Sequence, residues 1–94
     1  SIENANSAFS KIDFEITPNP ATHSAALNFD LREKSQVEIQ VFNILGDLVF
    51  NKGTIEFNKG ENRVNLNVAD YLVGTYLIKL QTNSSVYTKR LLVQ

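Results

Sequence analysis

From Lys11 onward, apolar residues recur at every second position in short runs, and polar, glycine- or proline-bearing stretches separate the runs. In "KIDFEIT" this places Ile12, Phe14 and Ile16 on one face with Asp13 and Glu15 on the other. Successive side chains of a strand point to opposite faces, so the period predicts a β-strand with one buried side. "PNPATHS" breaks the pattern, and "AALNFDL" resumes it through Leu27, Phe29 and Leu31. After "REKSQ", "VEIQVF" alternates Val37, Ile39 and Val41 against Glu38 and Gln40. "NILGD" is a turn around Gly46, and "LVFNKGTIEF" reads as one bent strand or two short ones broken near Gly53. "NKGEN" makes the next turn, and "RVNLNV" alternates through Val64, Leu66 and Val68. "ADYLVG" does not alternate and reads as a crossover loop. "TYLIKLQT" is apolar at the consecutive positions Tyr76, Leu77 and Ile78, as a central strand covered on both sides would be. "NSS" turns the chain into "VYTKRLLVQ".

No stretch carries a 3.6-residue stripe over three helical turns, so the expected class is all-β. About seven strands at intervals of roughly 10–12 residues predict an immunoglobulin-like β-sandwich of antiparallel strands with Greek-key connections. An up-and-down barrel is the weaker alternative. The chain lacks the cysteine pair and tryptophan of true immunoglobulin domains, leaving the generic sandwich. Residues 1–10 are rich in Ser, Asn and Ala without a period and read as a flexible linker, with the sandwich occupying residues 11–94.

Composition narrows the function classes. Ninety-four residues make one domain with a modest core and little room for a deep catalytic cleft. The formal net charge of −1 offers no basic footprint for nucleic acid or an anionic membrane. No apolar run approaches the ~18 residues that a membrane-spanning helix needs. The absence of cysteine removes disulfides, thiolate metal sites and thiol nucleophiles together. "SIENANSAFS" has neither the basic region nor the apolar block of a signal peptide. The chain has no methionine, which a start residue removed before Ser1 would explain and a module of a longer polypeptide explains at least as well.

Candidate chemistry is sparse. His23 is the single histidine and sits in the polar "PNPATHS" break, as an exposed loop residue would. Asp13, Glu15, Glu38 and Glu56 alternate with apolar residues and read as solvent-facing strand positions. Asp30, Asp47, Glu61 and Asp70 lie at expected strand ends, yet calcium calls for six to eight oxygens and no D-x-D-x-D run gathers them. No glycine-flanked nucleophile, P-loop or G-x-G-x-x-G is present, so neither a catalytic residue nor a cofactor or small-molecule substrate is expected. Most Phe and Tyr residues fall on inferred inward positions, which favours core over a carbohydrate-binding platform.

Three local features carry more signal. In "TPNPA", prolines cannot donate to a β ladder and push their predecessors into extended geometry. Pro18, Asn19 and Pro20 therefore end the first strand in a rigid corner that can pass the chain from one sheet edge to another. In "VEIQVFNILGDLV", Gly46 supplies the positive φ of a tight turn. In "YLVGTYLIKL", Gly74 leads out of the crossover and Tyr76 follows, its ring buried and its hydroxyl seeking a backbone partner. Each is scaffold when taken alone. In this order, with "PNPA" first, then Val41, Phe42 and Gly46, then Gly74 and Tyr76, then Lys89, Leu91, Leu92 and Val93, they resemble the C-terminal sorting domain of the type IX secretion system. The resemblance runs from Phe14 to Gln94. One departure is Ile16–Thr17, where the family often has Tyr before "PNP".

The resemblance implies a non-catalytic label at the end of a large secreted or surface protein of the Bacteroidetes. Its passenger reaches the periplasm by an N-terminal signal and is then handed to an outer-membrane translocon. A sortase-like peptidase commonly removes the domain and joins the passenger to a surface lipopolysaccharide, with the linker at Ser1 to Ser10 as the place of cleavage. The last segment, Lys89, Arg90, Leu91, Leu92, Val93 and Gln94, is the expected recognition element. Pairing it into the sandwich would hold it in space, and Lys89 and Arg90 would point from opposite faces, one of them snorkelling along its aliphatic stem. A basic pair that only guards an edge against aggregation is the plainer alternative. The rival functions are a fibronectin-like spacer and a carbohydrate-binding module.

Overall fold

The seven alternating segments become seven strands: β1 (Phe14–Thr17), β2 (Ser24–Leu31), β3 (Ser35–Asn43), β4 (Leu48–Phe57), β5 (Gly60–Asn67), β6 (Gly74–Gln81) and β7 (Val86–Val93). They belong to a computed structural model that describes residues 13–94; the linker reading of Ser1–Ser10 and the placement of Ile12 lie outside the described residues. Two antiparallel sheets form, one in the order β1-β2-β5 and the other β4-β3-β6-β7. The chain passes between sheets after β2, β4 and β5, which makes the connections Greek-key and the architecture an immunoglobulin-like sandwich.

The two-residue period explains the core. Phe14 pairs with Phe29 and Ile16 with Leu27, and all four face inward from the smaller sheet. From the larger sheet come Val37, Ile39 and Val41 of β3, Ile78 and Leu80 of β6, and Leu91 and Val93 of β7, each at most 1% exposed. No polar or charged residue is buried among the described residues, so apolar burial is the main force closing the two layers.

Two expectations need correcting. β6 lies between β3 and β7 but is covered on one face only: Tyr76, Ile78 and Leu80 are buried, while Leu77 points out and is 39% exposed. A two-layer sandwich has one interior, so a central position within a sheet does not bring a second cover. The fourth turn is shorter than "NKGEN", because β5 already begins at Gly60. Most of the described Phe and Tyr residues lie inward, as expected: Phe14, Phe29 and Tyr76 are buried, and Phe57, Tyr71 and Tyr87 pack against the core. Phe42 lies on the outer side of β3, and Phe50 of β4 is 40% exposed. The smaller sheet has three strands against four, which leaves β4 without a cover along most of its length.

β4 is one strand, bent by two bulges. The pairs Ile39–Gly53 and Gln40–Asn51 leave Lys52 as an extra residue, and Val41–Phe50 with Phe42–Leu48 does the same for Val49. Gly53 has φ +86°, which only glycine adopts without cost, and this is where the bend falls. At the β3–β4 turn Gly46 has φ +91°, and the Asn43 side chain accepts from the N–H groups of Leu45 (2.9 Å) and Asp47 (3.0 Å).

Candidate functional site

The last strand, although at the edge of its sheet, is held on both sides at its C-terminal end. Along one side β7 pairs with β6 over the whole register from Gly74–Val93 to Gln81–Val86. In an antiparallel pair, alternate residues turn their backbone groups away from the partner, and in β7 these are the even-numbered ones. Leu92, for instance, faces the corner made by Pro18, Asn19, Pro20 and Ala21. There the Asn19 side chain acts as a short piece of strand. Its Nδ2 donates to the Arg90 carbonyl (2.9 Å) and its Oδ1 accepts from the Leu92 N–H (3.0 Å). The backbone completes the latch, because Ala21 N–H donates to the Leu92 carbonyl (2.8 Å) and Gln94 N–H donates to the Ala21 carbonyl (2.8 Å). Ala21 and Val93 form an isolated parallel bridge.

Sequence logic explains why asparagine stands there. The flanking prolines have no N–H to donate, and the side-chain amide of the residue between them sets a donor and an acceptor side by side. Both X–Pro peptide bonds of the corner are cis. The chain leaves β1 in one sheet, touches the edge of the other at Ala21, and returns as β2. The corner thus does more than break an edge strand. Sequence reasoning singled out Asn19 within its motif but missed the bond it makes 71 and 73 residues away. The signal was the lone amide between two residues that cannot donate.

The other candidate residues fall as follows. Leu91 and Val93 point inward and anchor the strand in the core, whereas Leu92 points outward, 37% exposed. Arg90 and Lys89 are both exposed. Lys89 shares the inner side with Leu91 yet needs no snorkelling. It stands where the edge strands β1 and β7 face one another, in a shallow depression with Asp13, Glu15 and Tyr87. The latch reaches only as far as Arg90, so among the described residues nothing pairs with the edge from Val86 to Lys89, and an inward-pointing lysine there discourages unwanted pairing. Gln94 is held through its N–H with its side chain in solvent.

At the crossover, Gly74 opens β6 opposite Val93, and the Tyr76 hydroxyl donates to the Leu72 carbonyl (2.6 Å). Tyr71 packs on Tyr76 with ring centroids 5.1 Å apart. Burial, and secondarily the neighbouring Tyr76, raise the Tyr71 phenol above its ordinary 10.0. A raised folded value means that stability is intact below pH 10 and falls as pH climbs through the folded value, because the unfolded phenol ionises first. Denaturant titrations across the alkaline range are expected to show that fall, and Tyr71→Phe is expected to flatten it.

Nothing converges for metal or acid–base chemistry among the described residues. Asp30 and Glu61 face each other across β2 and β5, but Asp47 and Asp70 lie in turns at the opposite end of the sandwich. No group of three or more His, Cys, Asp or Glu there is disposed to hold a metal. His23 is exposed and takes part through its carbonyl, which accepts from Val68 N–H (2.9 Å). Phe50 is the one aromatic among the exposed large hydrophobics of the described residues, which makes no aromatic row for a sugar.

Fold and latch together define a class of protein: a small β-sandwich module that presents one strand in a fixed pose. The model of the family described as "Secretion system C-terminal sorting domain" matches residues 15–94, and the chain belongs to that family. It is therefore a type IX secretion C-terminal sorting signal, of a family that is generally non-catalytic. No curated protein matches it in sequence. Among solved structures it is similar to dimeric latent PorU from Porphyromonas gingivalis, with a TM-score of 0.70 and 16% identity. The match covers 87% of this chain and 9% of that one, so the likeness concerns the sandwich fold of one part of a much longer protein.

Proposed function

We propose that this domain directs a covalently attached passenger through the type IX translocon of the outer membrane, with the segment Lys89 to Gln94 as the element the machinery reads. The observation that carries this reading is the two-sided hold on β7. A receptor that binds a flexible strand must order it first, at a cost of roughly 1–2 kcal/mol per residue. A strand already fixed by β6 and by Asn19 avoids that cost, which is what preorganisation contributes to affinity. Pro18, Asn19 and Pro20 form the latch, while Gly46, Gly74 and Tyr76 hold the turn and crossover at the same end of the sheet. The passenger transits the periplasm and reaches the cell surface or the medium. A sortase-like peptidase cuts within the polar Ser1–Ser10 stretch, and the domain turns over no substrate of its own.

The test is a fusion of residues 1–94 to the end of a periplasmic reporter, in a host with an active type IX system and in the same host lacking its translocon. The reporter is expected outside the cell in the first and retained in the second. Retention in both hosts would sink the reading.

A further inference from the structure

One end of the larger sheet gathers most of the exposed large apolar residues among the described ones. On its outer face the register sets Leu48, Phe42, Leu77 and Arg90 in one row across all four strands. Leu92, opposite Thr75, stands diagonally beside Leu77. Two loops at the same end of the sheet add exposed apolar residues, Ile44 and Leu45 at 74% and 83% and Leu72 and Val73 at 83% and 76%. Toward the other end the same face turns polar, with Gln40, Asn51 and Lys79 in the next row. Exposed apolar side chains gathered at one end of a sheet mark an interaction site.

We infer that this apolar end is the docking surface for a protein of the export machinery, one that presents an apolar face with a carboxylate opposite Arg90. The inference rests on the proposed function and names the partner-facing surface of the same domain. Continuity with the reading element is one argument. Leu92 and Arg90 belong both to the patch and to the latched strand, and Asn19 binds the backbone of both residues, so the latch also fixes where their side chains project. Charge is the other. Arg90 is the one cation in its row, and among the described residues no carboxylate pairs with it; the ion pair found is Lys34–Glu56, elsewhere on the surface. Covering the leucines brings Arg90 into a drier setting, where an unpaired cation is costly. The occupant must therefore supply the anion. A second copy stacked on the same patch brings another apolar row with its own arginine. A lipid surface finds a domain of net charge −1 with no general electrostatic attraction.

The test uses the reporter fusion with Leu48→Ser/Leu77→Ser together, and separately with Arg90→Glu. All three residues are exposed, so thermal midpoints of the purified chains should stay within ~4 °C of the parent. Export is expected to fall about tenfold or more in each variant, as when a central contact of an interface is lost. Export at the parental level by both variants would overturn the inference while leaving the sorting function standing. Failure of the parental fusion itself would overturn both. Sedimentation of the purified domain is expected to show a monomer. A dimer that Leu48→Ser/Leu77→Ser dissolves would assign the patch to a second copy and overturn the proposal, as would binding to phosphatidylethanolamine–phosphatidylglycerol vesicles lost in the same variant.

Discussion

A chain cut back to Thr88 is expected neither to fold stably nor to carry a passenger out of the cell. The cut removes Leu91 and Val93, whose side chains are 0% and 1% exposed. Emptying one such site typically costs about 2–5 kcal/mol. A domain of this size has roughly 5–14 kcal/mol to lose in total. The cut also strips β6 of its ladder partner from Gly74 to Ile78 and leaves the Asn19 amide without its two bonds. Circular dichroism should show loss of the cooperative transition, and the reporter should stay in the periplasm. Undiminished export by the truncated fusion would refute any role for the last strand.

Asn19→Ala is the sharper change because it leaves every core side chain in place. Two hydrogen bonds to backbone are lost, and the Leu92 N–H and Arg90 carbonyl turn to solvent. Bonds of this kind contribute about 0.5–1.5 kcal/mol each when both partners can reach water afterwards. The expected loss of about 1–3 kcal/mol corresponds to a fall of very roughly 4–20 °C in thermal midpoint. Export should drop while the domain remains folded, since the strand keeps β6 but frays on its other side. Asn19→Asp keeps the acceptor for Leu92 N–H and places a carboxylate against the Arg90 carbonyl, so it is expected to rescue nothing. A variant that exports normally despite the lower midpoint would separate the latch from the address.

Much of this was legible in the sequence because one period dominated it. Strict alternation in "VEIQV", "RVNLN" and "DFEIT" identified inner and outer faces directly, and burial of Val37, Ile39, Val41, Val64 and Leu66 follows it. Leu77 was misread for a physical reason. An apolar run of three looks the same whether its outer member is covered by a second layer or belongs to an exposed patch, and only the layer count decides. Phe50, which pairs with inward-facing Val41, was hidden for a related reason, since nothing local announces that this part of β4 extends past the smaller sheet. The bond from Asn19 to β7 spans most of the chain, and no local pattern encodes a partner that distant. What the sequence did contain was the constraint, an amide placed between two residues unable to donate.

Amide hydrogen exchange along β7, read residue by residue by NMR, tests the latch itself. Leu91 and Val93 bond to β6 and should be protected in any case. Leu92 and Gln94 point away from β6, and only Asn19 and Ala21 hold their N–H groups. Slow exchange at Leu92 and Gln94, beside fast exchange at Thr88 and Arg90, whose N–H groups face the same edge with no partner among the described residues, is the expected result. Leu92 and Gln94 exchanging as fast as Arg90 would contradict it.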